Sequence, residues 1–248
     1  MNKKSIQSIL WAILYSVWVG GTFVFASAVI IGLPVSYFAS DALINWLTTS
    51  VGSLVYAAVV YLVATAIVFS SYLIRQLPVD EVRKRIGLAV PFQGRMVAWA
   101  VFIWGLYFLT STAITAVLYG MHIPGLQLDQ KQDVGFDQLN SVLGYSAAFV
   151  LLVVVAPFFE ELLFRGYLFG AIRKRSGFVV STLLTSLTFA LMHGQLNVGI
   201  DVFVLSLFLC YLRERFDSIW PGILVHAFKN GLAYALLFIL PLYGISFT

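Results

Sequence analysis

Two adjacent glutamates, Glu160 and Glu161, interrupt an otherwise apolar run, Ala156-Pro157-Phe158-Phe159-Glu160-Glu161-Leu162-Leu163-Phe164-Arg165-Gly166. Further along, Phe189-x-x-x-His193 and His226-x-x-x-Asn230 set two imidazoles and a carboxamide into equally apolar surroundings. Neighbouring helical positions project about 100° apart, so the two glutamates cannot share one task. Glu161 and Arg165 are spaced i, i+4 with the acid first, the favourable order for a helical ion pair. Glu161 is therefore expected to be paired and structural, leaving Glu160 to face a cavity. An unpaired carboxylate at low dielectric binds a proton more readily than one in water, which suits general-base work. The competing reading is a buried ion network without chemistry, since such networks also perturb their members.

The remaining polar residues each have a bland explanation as well. His193, taken alone, reads as a satisfied histidine at a helix end. His226 and Asn230 point one way along a helix and could be interhelical hydrogen-bonding glue. Lys229 projects about 100° from Asn230 and can snorkel, so it reads as structural. Asp201 sits where the dipole at the start of a helix favours a carboxylate. His122, beside Ile123-Pro124, reads as a solvated loop residue.

These residues must be positioned by membrane helices. Of 248 residues, 60% are hydrophobic and only 10% charged, with a mean hydropathy of +0.93. A soluble domain carries about 45–50% apolar and about 25% charged residues. An ordinary soluble enzyme, a disordered chain and a nucleic-acid binder are thereby excluded. Seven apolar stretches stand out: Ile9–Ile31, Gly52–Ile74, Val97–Tyr119, Val142 to beyond Glu161, Phe178–His193, Val198–Leu212 and Trp220–Leu240. The runs are too long and continuous for barrel strands, and a crossing needs about 20 apolar residues. The fold class is all-α, a polytopic transmembrane helix bundle of about seven (six to eight) helices in the lipid bilayer. The fifth and sixth stretches, joined by Gly194-Gln195-Leu196-Asn197, read as a helical hairpin. The first run exceeds the ~7–15 residues of a signal-peptide core, so it is expected to be retained. Residues 1–141 are expected to form a three-helix scaffold and 142–248 a four-helix catalytic core, within one integrated membrane domain. The single cysteine, Cys210, excludes an intrachain disulfide.

Placing the N-terminus in the cytoplasm sorts the cations. Lys3, Lys4, Arg75, Arg83, Lys84, Arg85, Arg95, Arg173, Lys174, Arg175, Arg213 and Arg215 then fall inside, and only Lys131 outside, among Asp129, Asp133 and Asp137. Twelve against one is a strong positive-inside signal, consistent with a multi-pass plasma-membrane protein. It also accounts for the pI near 9.2 without a nucleic-acid partner. What stays at depth is Glu160, Glu161, Arg165, His193, His226, Lys229 and Asn230, each costly there unless it meets a partner or a wet cavity. Counted at 1.5 Å per residue from the basic ends, Glu160 and His193 lie about 20 and 22 Å deep, and His226 and Asn230 about 12 and 18 Å. Three helices thus deliver polar groups to overlapping levels. From Val142 the fourth helix would be about 50 Å long, so it must tilt, protrude or break, with Pro157 the expected kink.

In this order, Glu160-Glu161-x-x-x-Arg165, Phe189-x-x-x-His193 and His226-x-x-x-Asn230 resemble the signature of the CAAX protease and bacteriocin-processing family, also called Abi. Ala156-Pro157, Phe164-Arg165-Gly166 and Ser218-Ile219-Trp220-Pro221 match on the flanks, and the likeness runs from Val142 to about Leu240. Members are intramembrane glutamic endopeptidases. The resemblance implies peptide hydrolysis by a water that Glu160 activates and His193 helps to orient. It implies oxyanion donation from His226 and Asn230, structural support from Glu161 and Arg165, and a membrane-anchored protein or peptide as substrate. No cofactor is implied.

Three alternatives remain open on the sequence. Glu160, His193 and His226 could form a His₂Glu zinc site with Glu161 as base. Against it, Glu161 has Arg165 to pair with, and Asn230 suits an oxyanion better than a metal. A non-catalytic membrane immunity or scaffold protein is a second alternative. A proton-coupled transporter is a third, although transporters show interrupted helices in both halves.

Overall fold

A computed structural model describes residues 3–124, 126–128, 130, 136 and 139–245 of the chain. Lys131, Asp129, Asp133 and Asp137, which define the outer face in the charge map, lie outside the described residues. All regular structure among the described residues is helical. The long helices are α1 (residues 3–38), α3 (Ser50–Ile74), α5 (Arg95–Gly120), α6 (Val142–Arg173), α8 (Leu196–Phe216) and α9 (Trp220–Tyr243). Shorter ones are α2 (Asp41–Leu47), α4 (Val79–Arg85) and α7 (Phe178–Leu191). Six of them are long and apolar enough to cross a membrane. With 14 residues, α7 reaches only about 21 Å. Each of the seven apolar stretches forms a helix, and the chain is a multi-pass membrane protein.

Local chemistry explains several boundaries. Ser40, Thr49 and Ser141 accept hydrogen bonds from backbone N–H groups in the first turns of α2, α3 and α6, satisfying donors that a helix start leaves unpaired. Asp80 and Glu81 open α4 and Arg83, Lys84 and Arg85 close it, matching the helix dipole at both ends. Gly194 takes φ +70° in the turn between α7 and α8, a conformation that only glycine adopts without strain. The hairpin read from the sequence is present, but α7 ends at Leu191, so His193 sits in the turn rather than on the helix.

The central element is α6, packed against α1, α3, α7, α8 and α9. It neither breaks nor stops at Pro157. Instead it stays helical over its full length of 32 residues, with wider π-type winding over Val150–Val155 and Glu161–Phe169. Pro157 falls in the first turn of the α-helical piece between them, Ala156–Glu160. The proline thus lies between two stretches of changed winding, a recognised device at functional positions. Every residue of Glu161–Phe169 is buried. Leu163, Phe164 and Leu168 pack there with Phe189 of α7 and Ile219 before α9 in the main core.

The basic ends of the helices gather on one side. Arg173 pairs with Glu214 at 2.8 Å, Arg213 pairs with Asp217 at 2.6 Å, and Arg213 Nη2 donates to the Arg85 carbonyl at 3.2 Å. Ile219 N donates to Gly87 O at 3.1 Å, which anchors the entry of α9 on the loop after α4. Ser218 Oγ donates to Val90 O at 3.2 Å and accepts from Trp220 N at 3.5 Å, while Ile219 occupies the cap position of α9.

Candidate active site

Glu161 and Arg165 lie on one face of the inner π-type turn of α6 and form a 2.8 Å ion pair, both side chains 0% exposed. The guanidinium lies 4.4 Å from the Phe189 ring centroid, so one cation meets a carboxylate on one side and a π-face on the other. Burying an ion pair is costly unless its remaining valences are met. His226 of α9 meets one of them, with Nδ1 3.2 Å from Glu161 Oε1. Gly222, one turn earlier on α9, makes room for the other oxygen, because an added Cβ would stand 2.7 Å from Glu161 Oε2.

Glu160 points elsewhere, as the 100° offset requires. Its side chain is 16% exposed, whereas that of Glu161 is 0% exposed. It is not without a partner: Tyr61 of α3 donates to Oε1 at 2.6 Å. Tyr61 is itself stacked on Phe159, with centroids 5.6 Å apart. Glu160 Oε2 stands 3.7 Å from His226 Nε2, too far for a hydrogen bond. His226 thus lies between the two carboxylates, bonded to the buried one and facing the more open one.

His193 owes its orientation to the end of α7. Its own N–H bonds to Ala190 O, which leaves Phe189 O without the usual i+4 donor. The imidazole Nδ1 fills that place at 2.8 Å. Assigned on this contact, Nδ1 carries the proton and Nε2 keeps its lone pair. Phe189 holds both imidazoles, meeting the His193 ring at 4.8 Å and the His226 ring at 5.8 Å, edge to face in each case. His193 feels the charges of Glu160, Lys229 and His226.

Asn230 is set by Pro157. In the π-type stretch, Ala156 N bonds to Leu151 O, so the next donor in that register would be the nitrogen of Pro157, which has no hydrogen. Leu152 O is left open, and Asn230 Nδ2 donates to it at 2.8 Å. The second amide hydrogen and the carbonyl oxygen of Asn230 remain for other partners.

Glu160, Glu161, Arg165, His193 and His226 therefore gather around Phe189, and Asn230 follows one turn beyond His226 on α9. Sequence reasoning missed Tyr61, which lies 99 positions from its partner inside an apolar run that gives no signal. It also missed Gly222, whose only trace is a glycine early in a helix. Lys229 and Asp201, read separately, form an ion pair at 3.6 Å. Asp201 also accepts hydrogen bonds from Tyr107 and Ser111. His122 is exposed in its loop, as expected. Among the described residues, no three His, Cys, Asp or Glu side chains are arranged to hold a metal ion.

Residues 143–232 match the family model of type II CAAX prenyl endopeptidase Rce1-like proteins. Among curated proteins, the chain is similar to one named "Putative membrane peptidase YdiL" of Bacillus subtilis (strain 168), 26% identical over 98 residues. It is also similar to the UPF0177 protein YxdF of Lactococcus lactis subsp. lactis (strain IL1403), 27% identical over 99 residues. These matches span 38% and 40% of this chain, and 40% and 54% of the lengths of the two relatives. No solved structure matches the chain. The resemblance to the CAAX protease and bacteriocin-processing family, read from three motifs, is borne out over the segment that carries them.

Proposed function

We propose that this protein is an intramembrane endopeptidase that hydrolyses peptide bonds of membrane-anchored proteins or peptides with a water activated by Glu160. One observation carries the reading. Within the cluster, Glu161 is wholly enclosed by Arg165, His226 and Gly222, while the Glu160 side chain stays partly exposed, with Oε2 3.7 Å from His226 Nε2. This difference supports a structural role for Glu161 and a reactive one for Glu160.

In this mechanism Glu160 takes a proton from water as its oxygen attacks the scissile carbonyl carbon. His193 Nε2 accepts from the second O–H and fixes the direction of attack. The tetrahedral oxyanion receives hydrogen bonds from the Nε2–H of His226 and the spare amide N–H of Asn230. Cleavage of the C–N bond then returns the proton from Glu160 to the leaving amine. Glu161 accepts from Nδ1–H of His226, and Nε2 donates to the oxyanion as well when the ring carries both protons, the form that a carboxylate at Nδ1 favours. The family match and the name of the Bacillus relative support the same class of reaction. The N-terminus is assigned to the cytoplasm, on the side where the cations gather.

The test is comparative membrane proteomics of cells producing the wild type or Glu160→Gln at equal levels. Peptides ending at a new C-terminus are expected only with the wild type. The same peptides in both would overturn the reading.

A further inference from the structure

The basic side of the bundle treats its cations in two ways. Where a carboxylate is at hand it is used: Arg85 pairs with Glu81 at 2.7 Å, Arg173 with Glu214 and Arg213 with Asp217. One recess on that side sets Glu81, Glu214 and Asp217 among five cations. A second recess, of about 80 Å³, adjoins it and shares Arg85 and Lys174 with it. Arg75, Arg85, Lys174 and Arg175 line it, and no carboxylate does.

The four cations come from separate parts of the chain: the end of α3, the end of α4, and the two positions after α6. Local sequence pattern therefore does not bring them together; the fold does. Among the described residues, the side chains of Arg75 and Lys174 make no ion pair or hydrogen bond, and only their backbone N–H groups are bonded, at the helix ends. Arg175 lies 4.5 Å over the Trp11 ring and 5.7 Å from that of Tyr15, which fixes its guanidinium without neutralising it. Partial burial, then the nearby charge of Arg85, hold the Lys174 ammonium below its ordinary range against the opposing pull of Glu81. Three phenols, Tyr15, Tyr72 and Tyr167, complete the wall. Of these only Tyr167 has a hydroxyl partner, Ser71 at 3.0 Å, so the other two have a hydrogen to donate.

We propose that this recess, between α1, α3, α4 and the exit of α6, is a binding site for a phosphate-bearing anion. A concave wall of four cations, of which Arg85 alone has a carboxylate partner, with phenolic donors matches a tetrahedral anion of several acceptor oxygens. Its position at the basic membrane boundary is where lipid phosphates lie, and basic pockets between helices on that side suit such headgroups. A soluble phosphate would use the same contacts. Occupation would tie α1 and α3 to the end of α6, the helix that carries Glu160 and Glu161, at a point remote from the site itself.

The experiment uses the purified full chain in a neutral detergent at fixed ionic strength. Binding isotherms are recorded for short-chain phosphatidylglycerol, for short-chain phosphatidylcholine and for inorganic phosphate. Saturable binding of phosphatidylglycerol is expected, with phosphatidylcholine much weaker. Arg75→Gln and Lys174→Gln should each weaken it about fivefold, whereas Arg83→Gln, an exposed cation outside the recess, should leave it unchanged. Competition by inorganic phosphate would identify the phosphate group itself as sufficient; its failure to compete would assign the site to the lipid headgroup. Arg75 and Lys174 are exposed, so their variants keep the fold. The proposal is overturned if neither phosphate ligand binds saturably, or if Arg83→Gln weakens binding as much as the recess variants do.

Discussion

At the scale of single residues, the site is a set of assignments made by geometry on chemically similar groups. Tyr61 donates a 2.6 Å hydrogen bond to Glu160 and stacks on Phe159, so it fixes the carboxylate without touching Glu161. Tyr61→Phe keeps the ring and loses the donor. It is expected to fold normally and to lower kcat by about tenfold, the scale of one lost charge-assisted hydrogen bond, as read by peptide cleavage in detergent. Arg165→Met is expected to act differently. It leaves the Glu161 charge buried without its partner, a loss of about 3–5 kcal/mol, and should appear as a large fall in unfolding midpoint. The Glu161–Arg165 pair was legible in the sequence because its partners are four residues apart on one helix. The bridge of His226 to both glutamates was not, because it depends on how α9 is rotated against α6. Nor was the Tyr61 contact, because an apolar helix carries no mark of the one ring that faces a carboxylate.

At the scale of elements, the position of Asn230 follows from a defect in α6. Pro157 lacks the N–H that π-type winding would direct to Leu152 O, and Asn230 of α9 supplies the hydrogen instead. The two residues are therefore coupled in stability. Asn230→Ala is expected to destabilise the wild type by about 1–3 kcal/mol, the cost of a buried unsatisfied carbonyl. In a Pro157→Ala background, where the backbone can donate again, the same substitution should cost clearly less, as measured by a double-mutant cycle of unfolding midpoints. Equal costs in both backgrounds would dissociate the proline from the asparagine. Gly222→Ala tests the other contact between these helices. Its Cβ would press within 2.7 Å on a carboxylate locked by Arg165 and His226, so cleavage is expected to fall more steeply than expression. The sequence reading placed the helices themselves closely, since long apolar runs bounded by basic clusters leave few choices. It expected a helical His193, which instead sits in the turn after α7, because helix termination is decided by tertiary hydrogen bonds rather than by composition.

At the scale of the whole molecule, scarcity of charge is what makes the chain readable. Cations gather at one end, Asp201 and Lys229 pair across α8 and α9, and Arg165 and both imidazoles of the cluster meet the Phe189 ring. With Cys210 fully buried, introduced cysteines report the orientation against a low background. Asn140→Cys should react with an impermeant maleimide added outside intact cells, and Lys84→Cys only after lysis; the reverse pattern would invert the topology. The account rests most directly on Glu160 as the base of a metal-independent hydrolysis. The measurement that tests it follows cleavage of a peptide from the proteomic comparison by purified wild type and Glu160→Gln, each after exhaustive chelation with and without added zinc. Chelated wild type is expected to cleave at its original rate, and Glu160→Gln to lose activity by about two to four orders of magnitude, the usual worth of a general base. Wild-type cleavage that vanishes on chelation and returns with zinc, or a fully active Glu160→Gln, would contradict it.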